Sequence, residues 1–426
     1  MRTTALLGLL LALLAPALRA YEAPKVEDPK DRQVLEAFVG HAQKLAATLT
    51  EDYAKQQAAK DAESYCWIVL KYQELPLLAY RLTGDVKELE TFAASFANLR
   101  AALTQDEAGF LGWYGKALPL FQHPDHPDKP VDVIITSFKA VRVLCGFIEA
   151  IDADPSLKEK FAKERAAYLD LMENHLVKKW DTRGNYVDLG AGGAIYRTNG
   201  SLKPTKAHLT QPHNKHHIIC SGLLALHRVT GNDEYLKKAV KLGVRFKRCM
   251  TLKDGHYEWN YWDPAGAWDV DPTDAAKWKH WIGVEHKGGY YASSLSQAVE
   301  LYQHGLVFDK ADMERFVKTQ TEKAWNGDPE SPKWARCDGT TSDKYQQGEY
   351  MCAALAPLDE RIAAFCYGGA RQEARVKSAP HGWQGSVVAA GYLEGKLLEL
   401  PEAQGASKPM ARSARASAPN PRTRNG

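Results

Sequence analysis

A helix–turn–helix unit recurs along this chain, and its period leaves few architectures open. Apolar residues at three- and four-residue spacing run through residues 75–82, turn at Thr83-Gly84-Asp85 and resume through 86–103. The pattern returns as 138–151 and 157–176 around Asp152-Ala153-Asp154, and as 216–229 and 235–250 around Thr230-Gly231-Asn232-Asp233. A fourth copy spans 295–306 and 313–325 around Asp309. No run of period-two alternation competes with this helical spacing, so the chain reads as all-α. The turns near 83, 152, 231 and 309 stand about 70 to 80 residues apart, an interval set by the repeated unit. An Asp or Asn ahead of each second helix is placed to cap it, its side-chain oxygen accepting from N–H groups that the first turn leaves free.

Each unit is followed by a longer stretch rich in Gly, Pro, Trp, Tyr and His, at residues 109–130, 181–212, 254–289 and 328–348. Hairpins joined by long loops on one side form either an open superhelix or a closed ring. Tetratricopeptide-like repeats are shorter and have short loops, whereas these loops hold most of the aromatic and polar chemistry, which favours the ring. Further helices are expected over residues 31–59 and 383–398. The predicted fold is an (α/α)n toroid, an incomplete barrel of about five to seven helical hairpins whose aromatic-rich loops line a central cleft.

Residues 1–20 carry Arg2, the apolar run of residues 5–14 and small residues at Ala15, Ala17 and Ala20, the pattern of a cleaved signal peptide. A membrane anchor needs about 20 apolar residues, and Pro16 and Arg19 cut this run short. The expected address is periplasmic or secreted, with no membrane partner after cleavage. Residues 403–426, rich in Ala, Ser, Pro and Arg, read as a disordered basic tail, which leaves residues 21–402 as the catalytic domain. Lys+Arg 55 against Asp+Glu 52 gives a net charge of +3. Arg2 and Arg19 in the leader and Lys408, Arg412, Arg415, Arg422 and Arg424 in the tail contribute enough of it that the body carries about −4. A nucleic-acid partner is therefore not expected, because the body has no basic excess with which to displace counterions. Seven cysteines without a CxxC pair leave at least one unpaired, and Cys66, Cys145, Cys220 and Cys366 sit in apolar helical patterns as buried free thiols.

Residues 256–291, HYEWNYWDPAGAWDVDPTDAAKWKHWIGVEHKGGYY, hold Trp259, Trp262, Trp268, Trp278 and Trp281 of the chain's 11 tryptophans. Aromatic faces suit CH-rich sugar rings while nearby polar groups orient them, so Tyr257, Trp259, Trp262 and Trp281 are candidate sugar contacts. Residues 210–217, TQPHNKHH, run into the apolar Ile218-Ile219-Cys220. Pro212 suits a first helical turn, which places His213, Asn214, His216 and His217 at a helix N-terminus that favours an anion such as a carboxylate. His213 and His217 stand four apart, but no HExxH pattern or third ligand follows, and no metal is assigned. In residues 283–291, GVEHKGGYY, two glycines allow close backbone approach and Tyr290 and Tyr291 open the next helix. A tyrosine acting as base needs a neighbouring cation to stabilise its phenolate, which Lys287 and the histidines supply.

At these residues the chain resembles the polysaccharide lyases built on helical toroids, particularly the alginate and glucuronan lyases. In that group an Asn and a His at the start of an inner helix, with a later Tyr, act on a uronic acid in a central groove. Asn214 with His216 or His217 matches the first part, and Tyr290 or Tyr291 the second. The hairpin pattern covers most of residues 31–400. Those lyases commonly place an Arg near the Tyr, whereas none lies between Arg248 and Arg315, so Arg197 or Arg336 must reach in or Lys287 substitute. The resemblance implies an exported lyase acting on an anionic, uronic-acid-containing polysaccharide, without a cofactor.

The chemistry asks for such residues independently. β-Elimination removes the C5 proton of a uronate and expels the sugar at O4, which is difficult while the carboxylate stays fully anionic. Asn214, His216 or His217 and a protonated Glu258 or Glu285 would neutralise it. Tyr290, Tyr291 or His286 would take the C5 proton and donate to the leaving oxygen. A glycoside hydrolase on the same toroid would instead need two carboxyls, from among Glu258, Asp263, Asp269, Glu285 and Glu349. A third reading is an exported glycan-binding protein without turnover. No GxSxG elbow, GxGxxG loop or P-loop occurs, and residues 381–386, HGWQGS, read as the start of the last inner helix with His381 facing the cleft.

Overall fold

The computed structural model describes residues 21, 23–341, 348–378 and 382–397. The expected leader, the expected tail and His381 lie outside the described residues. The helix expected over residues 31–59 is two helices, α1 (Pro29–Ala47) and α2 (Glu51–Lys60). The break comes at Thr50, whose hydroxyl accepts from the Tyr53 N–H and starts a new helix. A threonine that caps is indistinguishable by apolar spacing from one inside a helix.

The four repeated units fold as helix pairs or their broken equivalents. The first is α3 (Leu70–Thr83) with α4 (Val86–Ala101), reached through a π-helical turn at Tyr65–Val69. The second is α5 (Ile134–Asp152), followed by α6 (Pro155–Lys160), α7 (Ala162–Asp170), a π-helical turn and α8 (Lys178–Thr182), where a single helix was expected. The third is α9 (His213–Thr230) with α10 (Asp233–Cys249). The fourth is α11 (Gly288–Gln303) with α12 (Lys310–Lys318), which runs on as a π-helical turn to Ala324. Three more complete the described chain: α13 (Glu360–Tyr367), α14 (Gly369–Ser378) and α15 (Gly382–Leu397).

The caps are those the sequence proposes. Asp85, Asp154, Asn232 and Asp309 accept from the N–H groups of Lys87, Ser156, Glu234 and Asp312 at 3.0, 2.8, 3.0 and 2.9 Å. Gly84 and Gly231 end α3 and α9 with φ of +70°, a conformation that favours glycine. Among the described residues, strand is confined to four short antiparallel hairpins inside the loops.

Packing centres on α5, which lies against α3 and α9; α9 packs in turn on α10 and α11, and α1 and α15 pack on each other and on α3. Gly222 permits the α5–α9 contact, since a Cβ there would stand 2.9 Å from the Phe138 carbonyl oxygen. Phe92, Phe96, Phe147, Phe161 and Tyr168 form one aromatic cluster between α4, α5 and α7, each side chain contributing roughly 1.5–3 kcal/mol by burial. Charged groups from four helices also meet inside. Arg142 of α5 feels Glu74 of α3, Glu300 of α11 and Glu394 of α15. Lys139 Nζ lies 2.5 Å from Glu74 Oε2, and Glu300 and Arg142 act on His217 of α9.

All seven cysteines are free. Cys66, Cys145 and Cys220 are buried as expected, while Cys366 is only half-buried. Among the described residues, no helix is long and apolar enough to cross a membrane.

Candidate functional site

The N-terminal ends of α9 and α11 are tied together by the loop of residues 260–263. The His213 N–H donates to the Tyr261 carbonyl at 3.3 Å, and the Tyr261 N–H donates to the Gly283 carbonyl at 2.8 Å. Asn260 and Val284 form an isolated antiparallel bridge. On the far side, the Glu349 carbonyl approaches Gly288 so closely that a Cβ on Gly288 would stand 1.9 Å from its oxygen. Two of the chemically rich sequence windows thus converge on one place.

Glu285 is the chemical centre of this cluster. Its side chain is fully buried, with one oxygen accepting from the N–H groups of His286 at 2.8 Å and Lys287 at 3.2 Å. The other oxygen has no hydrogen-bond partner among the described residues. Burial pushes its carboxyl up to about 8 despite those two donors and the charges of His213 and Lys287, so it is protonated at neutral pH. His286 follows, its imidazole held below the usual range by burial and by Lys287 and Arg336, and edge-on to the half-exposed Trp281 at 5.3 Å. Tyr290 stacks on Tyr261, and Lys287 Nζ lies 5.3 Å from the Tyr290 ring centre. Burial, Glu285 and Glu63 raise the Tyr290 hydroxyl above its ordinary value.

The α9 end contributes polar groups of two kinds. Asn214 is 2% exposed and its Oδ1 has no partner among the described residues, as is true of Gln211 Oε1 just before it. His216 is engaged elsewhere: its Nε2 accepts from the Tyr196 N–H at 2.9 Å, and burial lowers it to about 3. His217 belongs to the charged interior, its imidazole lowered to about 4 by burial, with Nδ1 unpartnered among the described residues. His213 Nε2 lies 3.0 Å from Asp263 Oδ2, and Asn260 donates to Asp263 Oδ1 at 2.8 Å. Burial opposes the charge on His213, but Asp263 and Cys249 outweigh it and raise the imidazole to about 9.

Several other expected site residues serve the packing. Tyr291 is fully buried, stacked on Trp259 at 5.2 Å and donating to Gln320 Oε1 at 3.2 Å. Trp262 is buried with Nε1 donating to the Thr210 carbonyl at 2.8 Å. The Tyr257 hydroxyl donates to Asp312 Oδ1 at 2.6 Å. Glu258 is engaged by His256 at 3.2 Å and Lys253 at 3.3 Å on a loop hairpin. Asp269 accepts from Thr210 and Ala265, and Glu349 pairs with Arg371. Arg197 bonds the Gly184 carbonyl and lies over Trp268. Unlike that of Arg197, the charge of Arg336 reaches His286; with Trp334 and Tyr350 it lines a cleft of about 500 Å³.

Residues absent from the sequence reading also enter. Glu63, just before the π-helical turn that leads into α3, pairs with Lys215 at 3.4 Å and raises both Tyr261 and Tyr290. Its one sequence signal was position, since it precedes a helix as residues 210–212 and 283–287 do. Compared with known proteins, the chain matches no family model, no curated protein and no solved structure.

Proposed function

We propose that this protein is an exported polysaccharide lyase on an (α/α) toroid that cleaves a uronic-acid-containing polysaccharide by β-elimination. The toroid reading is supported by the succession of contacts α3–α5–α9–α11, by the packing of α1 and α15 on α3, and by the charges that four helices share inside. The observation that carries the chemistry is Glu285, a buried neutral carboxyl with one unpartnered oxygen beside His286 and Tyr290.

In this reading Glu285 and the Asn214 amide donate to the substrate carboxylate, which stabilises the enolate as charge develops. His286, neutral because it is held below its usual range, takes the C5 proton. Tyr290, protonated because it is held above its own, gives a proton to O4 as the C4–O4 bond breaks and the C4–C5 double bond forms. Groups pushed apart in this way divide the base and acid roles between them. Lys287 and Arg336 offset the polyanion's charge, and Trp281 offers a sugar-stacking face.

A second reading, a hydrolase, draws on a different pairing: Glu285 is held protonated while the His213 and Asn260 bonds overcome burial and keep Asp263 ionised. The deciding experiment incubates the mature protein with alginate, glucuronan, pectate and glycosaminoglycans. Rising ultraviolet absorbance from a conjugated double bond, lost in Tyr290→Phe, supports the lyase. New reducing ends without absorbance overturn it in favour of the hydrolase, and binding without either signal leaves a glycan-binding protein.

A further inference from the structure

We propose that His213, Cys249 and Asp263 form a three-ligand site for a zinc-type divalent cation, independent of the lyase reading. The three come from separate segments: the first residue of α9, the last of α10, and the loop of residues 260–263. One ligand atom from each lies within 4.8 Å of the other two. Ligand atoms of a tetrahedral zinc site stand about 3.5 Å apart, given bonds of roughly 2.0–2.3 Å, so a small inward movement closes the set around an ion.

The donor chemistry is selective. Imidazole, thiolate and carboxylate together suit zinc, whereas calcium and magnesium require oxygen ligands. Two anionic ligands match a divalent charge, and α10 directs the negative end of its dipole toward Cys249. Asn260 holds Asp263 Oδ1 at 2.8 Å and leaves Oδ2 toward His213, the outer bond that orients a ligating carboxylate. Arg245 opposes the ion: it bonds the carbonyls of Asp263 and Pro264 at 3.4 and 2.8 Å and places a fixed positive charge beside the site. The three protein ligands leave a fourth position for water, and the ion would be held by neutral imidazole, thiolate and carboxylate. The expected consequence is mechanical. The ion fastens the loop that carries Tyr261, the stacking partner of Tyr290.

The test strips the full-length mature protein with a chelator and reloads it with Zn²⁺ or Co²⁺. The expected result is about one zinc per chain by mass spectrometry after dialysis, and with cobalt a thiolate-to-metal charge-transfer band above intense tetrahedral visible bands. Cys249→Ser abolishes the charge-transfer band and weakens zinc binding by at least about tenfold, as does Asp263→Asn without loss of the band. Cys366→Ser, the other half-buried thiol, leaves both signals unchanged. Circular dichroism confirms that each variant folds. Failure to retain zinc, or a charge-transfer band that survives Cys249→Ser, overturns the proposal.

Discussion

The phenol ring of Tyr290 lies on that of Tyr261, with centres 5.6 Å apart and planes 23° from parallel. Phenylalanine keeps this stack and removes the proton donor alone. Tyr290→Phe is therefore expected to melt within a degree or two of the wild type while kcat falls by about 10²–10⁴-fold, the range for a general acid. Equal loss of stability and activity would assign Tyr290 to packing.

Glu285 makes the protein less stable as pH rises. Its folded value, about 8, exceeds that of an exposed carboxyl, so its contribution is present in full below the unfolded value and is lost as pH climbs toward 8. The loss is on the order of 4–5 kcal/mol at 1.36 kcal/mol per unit. Glu285→Gln is expected to flatten denaturant-derived stability between pH 5 and 8 relative to wild type. The same variant separates the two chemistries, since glutamine still donates to a carboxylate but cannot deliver a proton to a glycosidic oxygen. Substantial residual turnover supports the lyase.

The acid side has the opposite sign. His216 and His217 are held neutral at about 3 and 4, so their contribution is present above the unfolded histidine range and lost as pH falls toward those values. Stability should drop steeply below pH 6, and His216→Asn should blunt that drop while costing stability at pH 7, because the Tyr196 N–H loses its acceptor.

Among the described residues, the buried Asn214 Oδ1 has no partner. Asn214→Ala removes a desolvation cost along with the amide, so its melting temperature should hold or rise while kcat falls about 10²–10³-fold. A clear loss of melting temperature would mean that Asn214 supports the fold instead.

Gly288→Ala forces the Glu349 backbone away from the start of α11. The expected cost is about 1–3 kcal/mol by chemical denaturation. Activity should fall further than that cost explains, because α11 carries Tyr290.

Local chemistry was legible in the sequence wherever it acts over a few residues. The helix pairs follow from apolar spacing, and Asp85, Asp154, Asn232 and Asp309 cap them because capping links a side chain to a backbone two or three residues away. The windows at residues 210–217 and 283–291 were likewise visible by composition. What the tertiary structure alone decided is the environment of each titratable group. Tyr290 and Tyr291 are neighbours in sequence, yet successive helical residues point about 100° apart. One stacks on Tyr261 beside Glu285, and the other is buried against Trp259 and Gln320. Glu285 and Glu258 are equivalent as letters, but one is sealed from water with a single oxygen bonded and the other meets His256 and Lys253. Desolvation and partner distance are set by elements far apart along the chain, and a sequence pattern carries neither.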